Sequence, residues 1–306
     1  MCKVITEKYF EPLVSVIITT YNRPNNLLRA INSVLLQDYP KIEIIVVDDN
    51  GKNSPYQLET EELIKDYKAK NNFKYIIHNK NMNASVARNT GVKSSSGQYI
   101  ALLDDDDEFL PSKISKQVRL LEEHKNYGGA YCQTNLHIEK GKIISTQEFK
   151  SGNLTEDILL LKAQFNTSTL LLRKEIYEEL NGFDESFFRH QDWEFMIRFF
   201  RKHKLLLVPE ILLIRHREDG CFGPVGINAL LFRLKYLRTF KNDIEALPTH
   251  NEIYFIHYHS LIVGMLLQRE YKKTMCLIKR AQKYKSISIR NYLVYFKHLI
   301  LGILKA

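Results

Sequence analysis

Three stretches of this chain lack any regular alternation of apolar and polar residues, and this restricts its fold more than any other feature. They are VSVIITTY (Val14 to Tyr21), IEIIVVDD (Ile42 to Asp49) and QYIALL (Gln98 to Leu103). A strand with one wet face alternates with period two, whereas a strand covered on both faces reads as a continuous β-branched run. A shorter run, FKYIIH (Phe73 to His78), has the same character. Helical patterns fill the intervals. Pro24 opens a segment with Leu27, Leu28, Ile31, Val34 and Leu35 at helical spacing, Glu59 to Lys70 reads as a second helix, and Asn83 reads as the N-cap of a third that runs through Lys93 and stops at SSSG. Alternating strands and helices of this kind predict an α/β fold, with a parallel sheet flanked by helices on both sides.

In open sheets of this class, ligands gather beyond the carboxyl ends of the strands. Three such ends here are polar: Thr19 to Asn22, Asp48 to Asn50, and the acidic run Asp104 to Asp107 within ALLDDDDEFLP. Two unit charges ~4 Å apart repel by roughly 4 kcal/mol at the effective dielectric of a protein surface. Four adjacent carboxylates therefore form either a solvated loop or a cation site, and the convergence of three strand ends favours the cation site. No GxGxxG follows the first strand and no GxxxxGK[ST] occurs anywhere, which disfavours a dinucleotide fingerprint and a P-loop. Without a glycine-rich phosphate cradle, a metal held by carboxylates is the means left to neutralise a diphosphate, and Mg²⁺ or Mn²⁺ suits oxygen ligands.

Apolar residues make up 44% of the 306-residue chain and charged residues 26%, enough for an ordinary core. Cys2, Cys132, Cys221 and Cys276 form no CxxC, so reduced thiols are expected rather than a disulfide framework or a zinc site. The N-terminal MCKVITEKYFEP has no apolar stretch of the signal-peptide kind, and no uninterrupted apolar window reaches the length of a membrane span. From Gly226 to Ala306, 14 Lys and Arg face 4 Asp and Glu, so this stretch carries +10 and residues 1–225 carry −1 of the net +9. Four amphipathic helices are expected there, either as a bundle that packs on the first domain or on a second copy, or as a surface for anionic membrane. No nucleic-acid-binding module is recognisable, and nucleic acid is not an expected partner. The expected division is 1–225 for the α/β domain that bears the candidate site and 226–306 for a basic helical extension.

In order along the chain, VSVIITTYNRP, IIVVDDN, NASVARNTGV, ALLDDDDEFLP, NGFDES and HQDWEF resemble the motifs of family 2 glycosyltransferases. The resemblance covers about Leu13 to His216. It implies a GT-A (Rossmann-like) fold, mostly parallel, and places the nucleotide base at Thr19, Tyr21 and Asp49, with Arg88 at the base or the diphosphate. It maps the DxD motif, which binds ribose and the cation, to Asp104 and Asp106, with Asp106 as the direct metal ligand and Asp105 or Asp107 sharing the work. Asp48 is expected to cap the strand-end turn. Asp192 matches the catalytic base, although Gln191 departs from the acidic residue usual before it. LLIRHRED resembles the family's closing loop and makes His216 a candidate at the diphosphate and the metal.

The activity implied is inverting transfer of a sugar from a nucleotide diphosphate sugar, UDP being the expected carrier, to an acceptor hydroxyl. The acceptor would be a saccharide or a lipid-linked saccharide in bacterial surface-polysaccharide or glycolipid synthesis. A cytoplasmic enzyme at the inner face of the membrane, able to form a homo-oligomer, would suit that role. Other readings remain open for single residues. Asp192 could cap its helix, Arg88 could lie on a helix surface, His216 could be a plain loop residue, and Trp193 could pack in the core or stack on a sugar. NGFDES reads as a helix stop at Gly182, followed by Asp184 and Glu185 turned toward the acceptor. Two competing functions are a nucleotide-sugar-binding protein without turnover and a sugar nucleotidyltransferase; TTYNRPNN lacks the glycine-rich basic loop of the latter.

Overall fold

The computed structural model describes residues 11–138, 142–145, 150–163, 166–217 and 227–304. It divides into two compact units, Met1–Asn153 with Phe165–Asp219, and Leu154–Gln164 with Gly220–Ala306. The expected boundary after residue 225 lies outside the described residues.

The first unit is built on a single sheet of strands β1 (Val14–Thr20), β2 (Ile42–Asp48), β3 (Phe73–Ile77), β4 (Tyr99–Asp104), β5 (Asp107–Phe109), β6 (Gly129–Ile138), β7 (Lys142–Ser145), β8 (Leu171–Arg173) and β9 (Leu205–Arg217). Their order is β3-β2-β1-β4-β8-β6-β9-β5, with β7 on β6. β1 pairs in parallel with both β2 and β4, and β2 with β3. β8 then enters antiparallel to β4 and β6, while β6 and β9 run parallel. The helices of this unit are α1 (Pro24–Leu35), α2 (Pro55–Leu63), α3 (Lys65–Lys68), α4 (Ala84–Lys93), α5 (Lys113–Glu123), α7 (Lys174–Glu179) and α8 (Gln191–Phe200), and α6 (Thr155–Leu159) belongs to the second unit.

β1 explains why its sequence does not alternate. Val16 and Ile18 join a core with Leu27, Ile31 and Val34 of α1. Ile17 points to the other face, where α4 lies so close that a Cβ on Gly91 would stand 2.3 Å from Ile17 Cγ2. Both faces are dry, so neither selects polar residues. Pro24 starts α1, where a missing N–H costs nothing. Asn83 caps α4 as expected, its side chain accepting from the Ser85 and Val86 amides. The helix expected over Glu59 to Lys70 is instead two helices broken at the buried Ile64.

The second unit contains α6, α9 (Ile227–Thr239), α10 (Lys241–Glu245), α11 (His250–Leu267), α12 (Tyr271–Ala281) and α13 (Ile289–Leu304). Its centre is His257. Nδ1 accepts from Arg233 Nη1 at 2.9 Å and Nε2 donates to the Leu159 carbonyl at 2.8 Å, a geometry that fits only the neutral ring. No helix among the described residues is long and apolar enough to cross a membrane. Cys132 is a buried free thiol and Cys276 an exposed one.

Candidate active site

The acidic run straddles the end of β4 and the start of β5, and the turn between them sends successive side chains in different directions. Asp104 Oδ1 accepts from Arg88 Nη2 at 2.6 Å, and Oδ2 accepts from Thr167 Oγ1 at 3.2 Å. Its amide donates to Ser168 Oγ at 3.1 Å. Burial alone would raise the Asp104 carboxyl, but the charge and hydrogen bond of Arg88, helped by Arg23 and Arg215, hold it below the usual range.

Asp105 turns inward and is fully buried. Its Oδ2 accepts from Thr20 Oγ1 at 2.8 Å and from the Tyr21 amide at 3.3 Å. Arg23 Nη2 stands 2.8 Å from Oδ1 as an ion pair, but without the alignment of a hydrogen bond. Burial raises its carboxyl to about 7 against the pull of Arg23 and Thr20. Asp105 thus ties the end of β1 to the acidic turn, and its oxygens are engaged by the protein itself.

Asp104, Asp106 and Asp107 each offer an oxygen within 4.8 Å of the others. Arg23 Nη1 pairs with Asp106, and Arg215 Nε lies 3.9 Å from Asp107. Burial first, and then the neighbouring carboxylates, raise both Asp106 and Asp107, the latter strongly. Asp107 Oδ2 is buried with no hydrogen-bond partner. Three hard oxygen donors, mutual repulsion and an orphaned oxygen together make a set that fits a Mg²⁺ or Mn²⁺ ion.

His216 stands apart from that trio. Strand neighbours face opposite sides of a sheet, and on β9 it is Arg215 that faces Asp107, while His216 Nε2 lies 3.2 Å from Glu108 Oε2. The segment expected as a closing loop is strand through Arg217, and its continuation lies outside the described residues.

Asp49 is buried, and its carboxylate receives donors from four residues: His78 Nδ1 at 2.7 Å, the Met82 amide at 2.8 Å, and Asn81 Nδ2 and the Asn83 amide at 3.0 Å each. It organises the loop before α4 and holds the Asn83 cap at φ 81°. Asp48 accepts from Tyr75 Oη and from the Asn50 amide, as a strand-end cap should. Thr19 sits at the last parallel position opposite Asp104, and Tyr21 just beyond it is 46% exposed, a free aromatic face at the rim.

Asp192 is in the first turn of α8 and half-buried. It lies near enough to Arg88 and Asp104 to feel both charges. Burial raises its carboxyl, partly offset by a backbone hydrogen bond at Trp193 and by Arg88. Trp193 stacks on His190 at 4.4 Å between ring centroids, and His190 has φ 61°. The NGFDES turn ends its helix at Gly182, with φ +66°.

Sequence reasoning passed over the groups that hold these residues in place. Arg23 stood in view in YNRP, directly after a strand end. Asn89, beside Arg88, exchanges two 2.9 Å hydrogen bonds with the Phe183 backbone and accepts from Tyr177 Oη, fixing the turn before Asp192. Thr167 and Ser168 carried no signal, because only the fold brings their short turn to Asp104.

Comparison with known proteins gives the family and the fold. The profile described as Glycosyl transferase family 2 matches residues 15–181. An uncharacterized glycosyltransferase of Rickettsia bellii is 31% identical over 72% of this chain, which spans 32% of that protein's length. The GalNAc(5)-diNAcBac-PP-undecaprenol beta-1,3-glucosyltransferase of Campylobacter jejuni is 28% identical over 94% of this chain and 87% of its own. Among solved structures, S. aureus TarS 1–349 in complex with UDP-GlcNAc superposes with TM-score 0.62 at 16% identity, covering 95% of this chain and 80% of that one. The mannosyltransferase PcManGT of Pyrobaculum calidifontis, in complex with GDP-Man and Mn2+, gives 0.58 at 15% identity, over 97% and 87%. Both similarities establish the GT-A fold.

Proposed function

Because the chain belongs to glycosyltransferase family 2, whose members use nucleotide sugars, we propose that it transfers a sugar from a nucleotide diphosphate donor to an acceptor hydroxyl with inversion at the anomeric carbon. The observation that carries this reading is the meeting of the Asp104, Asp106 and Asp107 carboxylates with Asp192, a separate acid within electrostatic reach of Arg88 and Asp104.

Asp104, Asp106 and Asp107 would hold a divalent cation, which would supply Lewis-acid stabilisation of the departing diphosphate. The chain's own residues do the rest. Tyr21 and Thr19 at the end of β1 border the base, while Asp49 shapes the loop next to it. Arg88, held in place by Asp104, contributes positive charge where the leaving group becomes more negative. Asp192 takes the proton of the acceptor hydroxyl as that oxygen bonds to the anomeric carbon and the bond from this carbon to the diphosphate breaks. Burial raises its carboxyl, which makes it a better proton acceptor than an ordinary aspartate.

UDP-sugars are the proposed donors, a choice supported by the UDP-GlcNAc complex among the structural relatives. A lipid-linked saccharide is the proposed acceptor, in line with the undecaprenol-linked name of the Campylobacter relative. On this reading the protein works at the cytoplasmic face of a membrane in surface-polysaccharide or glycolipid synthesis. A thermal-shift screen of sugar nucleotides, with Mn²⁺ and with EDTA, tests donor and metal together, since a ligand that binds only the native state raises its stability. A donor at a hundred times its Kd adds about 2.7 kcal/mol. Stabilisation should appear with Mn²⁺ and vanish with EDTA; equal stabilisation in both would remove the cation from donor binding.

A further inference from the structure

The last helix, α13, has two apolar faces. One packs inside the C-terminal unit. Tyr295 is 5% exposed, its hydroxyl 2.9 Å from His259 Nδ1. Gly302 sits so close to α11 that a Cβ there would stand 2.5 Å from the Leu266 carbonyl oxygen.

The other face is open. Ile289, Leu293, Phe296, Ile300, Ile303 and Leu304 follow one another at spacings that place them on a single side of the helix. Ile289, Leu293 and Phe296 are 81%, 64% and 61% exposed, and Leu304 is 74% exposed. Scattered exposed apolar residues are ordinary, but a continuous stripe marks an interaction surface. The stripe adjoins a groove of about 550 Å³ between α12 and α13, lined also by the exposed Tyr271 and Met275 of α12.

Charge identifies the occupant. From Tyr271 to Leu304 the sequence has eight Lys and Arg and not one Asp or Glu. Arg290 and Lys297, seven residues apart and both exposed, run along one border of the stripe. A second copy docked through this face would set two such cationic surfaces against each other, with no carboxylate on α12 or α13 and only Glu270, already paired with Lys273, at the edge. An anionic bilayer complements both the stripe and its border. α13, at 16 residues, is about 24 Å long. No helix among the described residues can cross a membrane, so this one would lie in the interface plane, apolar side down.

We propose that the outer face of α13, with the adjoining groove, docks on a lipid bilayer rich in anionic headgroups. The proposal stands apart from the catalytic reading, because it rests on residues of the C-terminal unit alone.

The test is co-sedimentation of the full chain with phosphatidylcholine vesicles and with vesicles containing phosphatidylglycerol. Binding should require phosphatidylglycerol and weaken with added salt. Arg290→Gln with Lys297→Gln should lower affinity roughly 25-fold, about fivefold for each basic residue removed. Leu293→Glu with Phe296→Glu should abolish binding while leaving the melting temperature within a degree or two, since both side chains are exposed. Nucleotide-dependent thermal shifts in these variants should match wild type, which separates a failed surface from a failed fold. Failure of the intact chain to bind, equal binding to both vesicle types, or a solution dimer that Leu293→Glu with Phe296→Glu splits into monomers would overturn the proposal.

Discussion

At the end of β4 four carboxylates occupy consecutive positions, and arginines and hydrogen-bond donors from distant parts of the sequence have been drawn in around them. Along α12 and α13 eight cations occupy 34 residues that contain no acid, and Lys273 reaches just outside them to pair with Glu270 at 2.8 Å. The first cluster is largely buried and the second largely exposed. That difference decides how each is tolerated. Out of water, a charge is costly unless a specific partner or a cation offsets it, and burial accordingly raises the carboxyls of Asp105 and Asp107. At the surface, water and salt do the work, and the charge remains available for something outside the molecule.

The contrast can be broken most severely at Asp192. Asp192→Asn should reduce transfer by about 10²–10⁴-fold, the usual worth of a positioned base. Donor affinity, read by thermal shift, should stay within a few fold. A large loss of affinity would make Asp192 part of the binding surface and leave the base unassigned.

Next comes Arg88→Met, which strips the buried partner from Asp104. Breaking a buried pair costs about 3–5 kcal/mol, and since Asp104 keeps 24% of its side-chain surface, the low end applies. Urea denaturation should read a loss of about 3 kcal/mol. A loss below about 0.5 kcal/mol, the range of an ordinary surface change, would mean that the corner is effectively solvated.

His257 tests whether the second unit also has a buried titratable group. Its pKa is lowered to about 3, by burial first and then by Arg233. Below about pH 6.5 the unfolded chain binds a proton that the native ring refuses, so stability is present above that pH and is lost as pH falls toward 3. The slope from this one group is at most about 1.4 kcal/mol per pH unit. His257→Gln should flatten that limb of the stability curve relative to wild type, whatever it does to the absolute value. An unchanged slope would show that the ring is protonated in the native state.

The smallest effect is expected on α12. Lys279→Gln should move stability by no more than about 0.5 kcal/mol, since the side chain is exposed. A clear loss would give that cation a structural partner and blur the distinction between the two clusters.

Much of the first unit can be read directly from short-range patterns. The four parallel strands, the Asn83 cap and the Gly182 stop each follow from a run of a few residues, because covered strands, caps and left-handed turns make local demands. The candidate positions Asp104, Asp106 and Asp192 came instead from the resemblance of their motifs to those of family 2 glycosyltransferases. Harder to read were the residues whose role depends on what lies opposite. Nothing near Asp49 in the chain announces that the loop from His78 to Asn83 will consume its hydrogen-bonding capacity. Likewise, Ile64 looks like one more apolar position in a helix, yet its burial coincides with a break.

By itself, the sequence determined that this chain forms a sheet with two dry faces, ends three of its strands in polar groups, and carries its excess positive charge at one end. Periodicity and composition are properties of neighbours along the chain, and they need no knowledge of the fold. Only the tertiary structure decided that Asp105 faces inward while Asp104, Asp106 and Asp107 face one another. It alone decided that Arg23, Arg88 and Arg215, from three separate segments, surround them, and that among the described residues one side of α13 is exposed. Those outcomes depend on distances of a few ångströms between residues far apart in sequence, and electrostatic and packing energies are set by such distances.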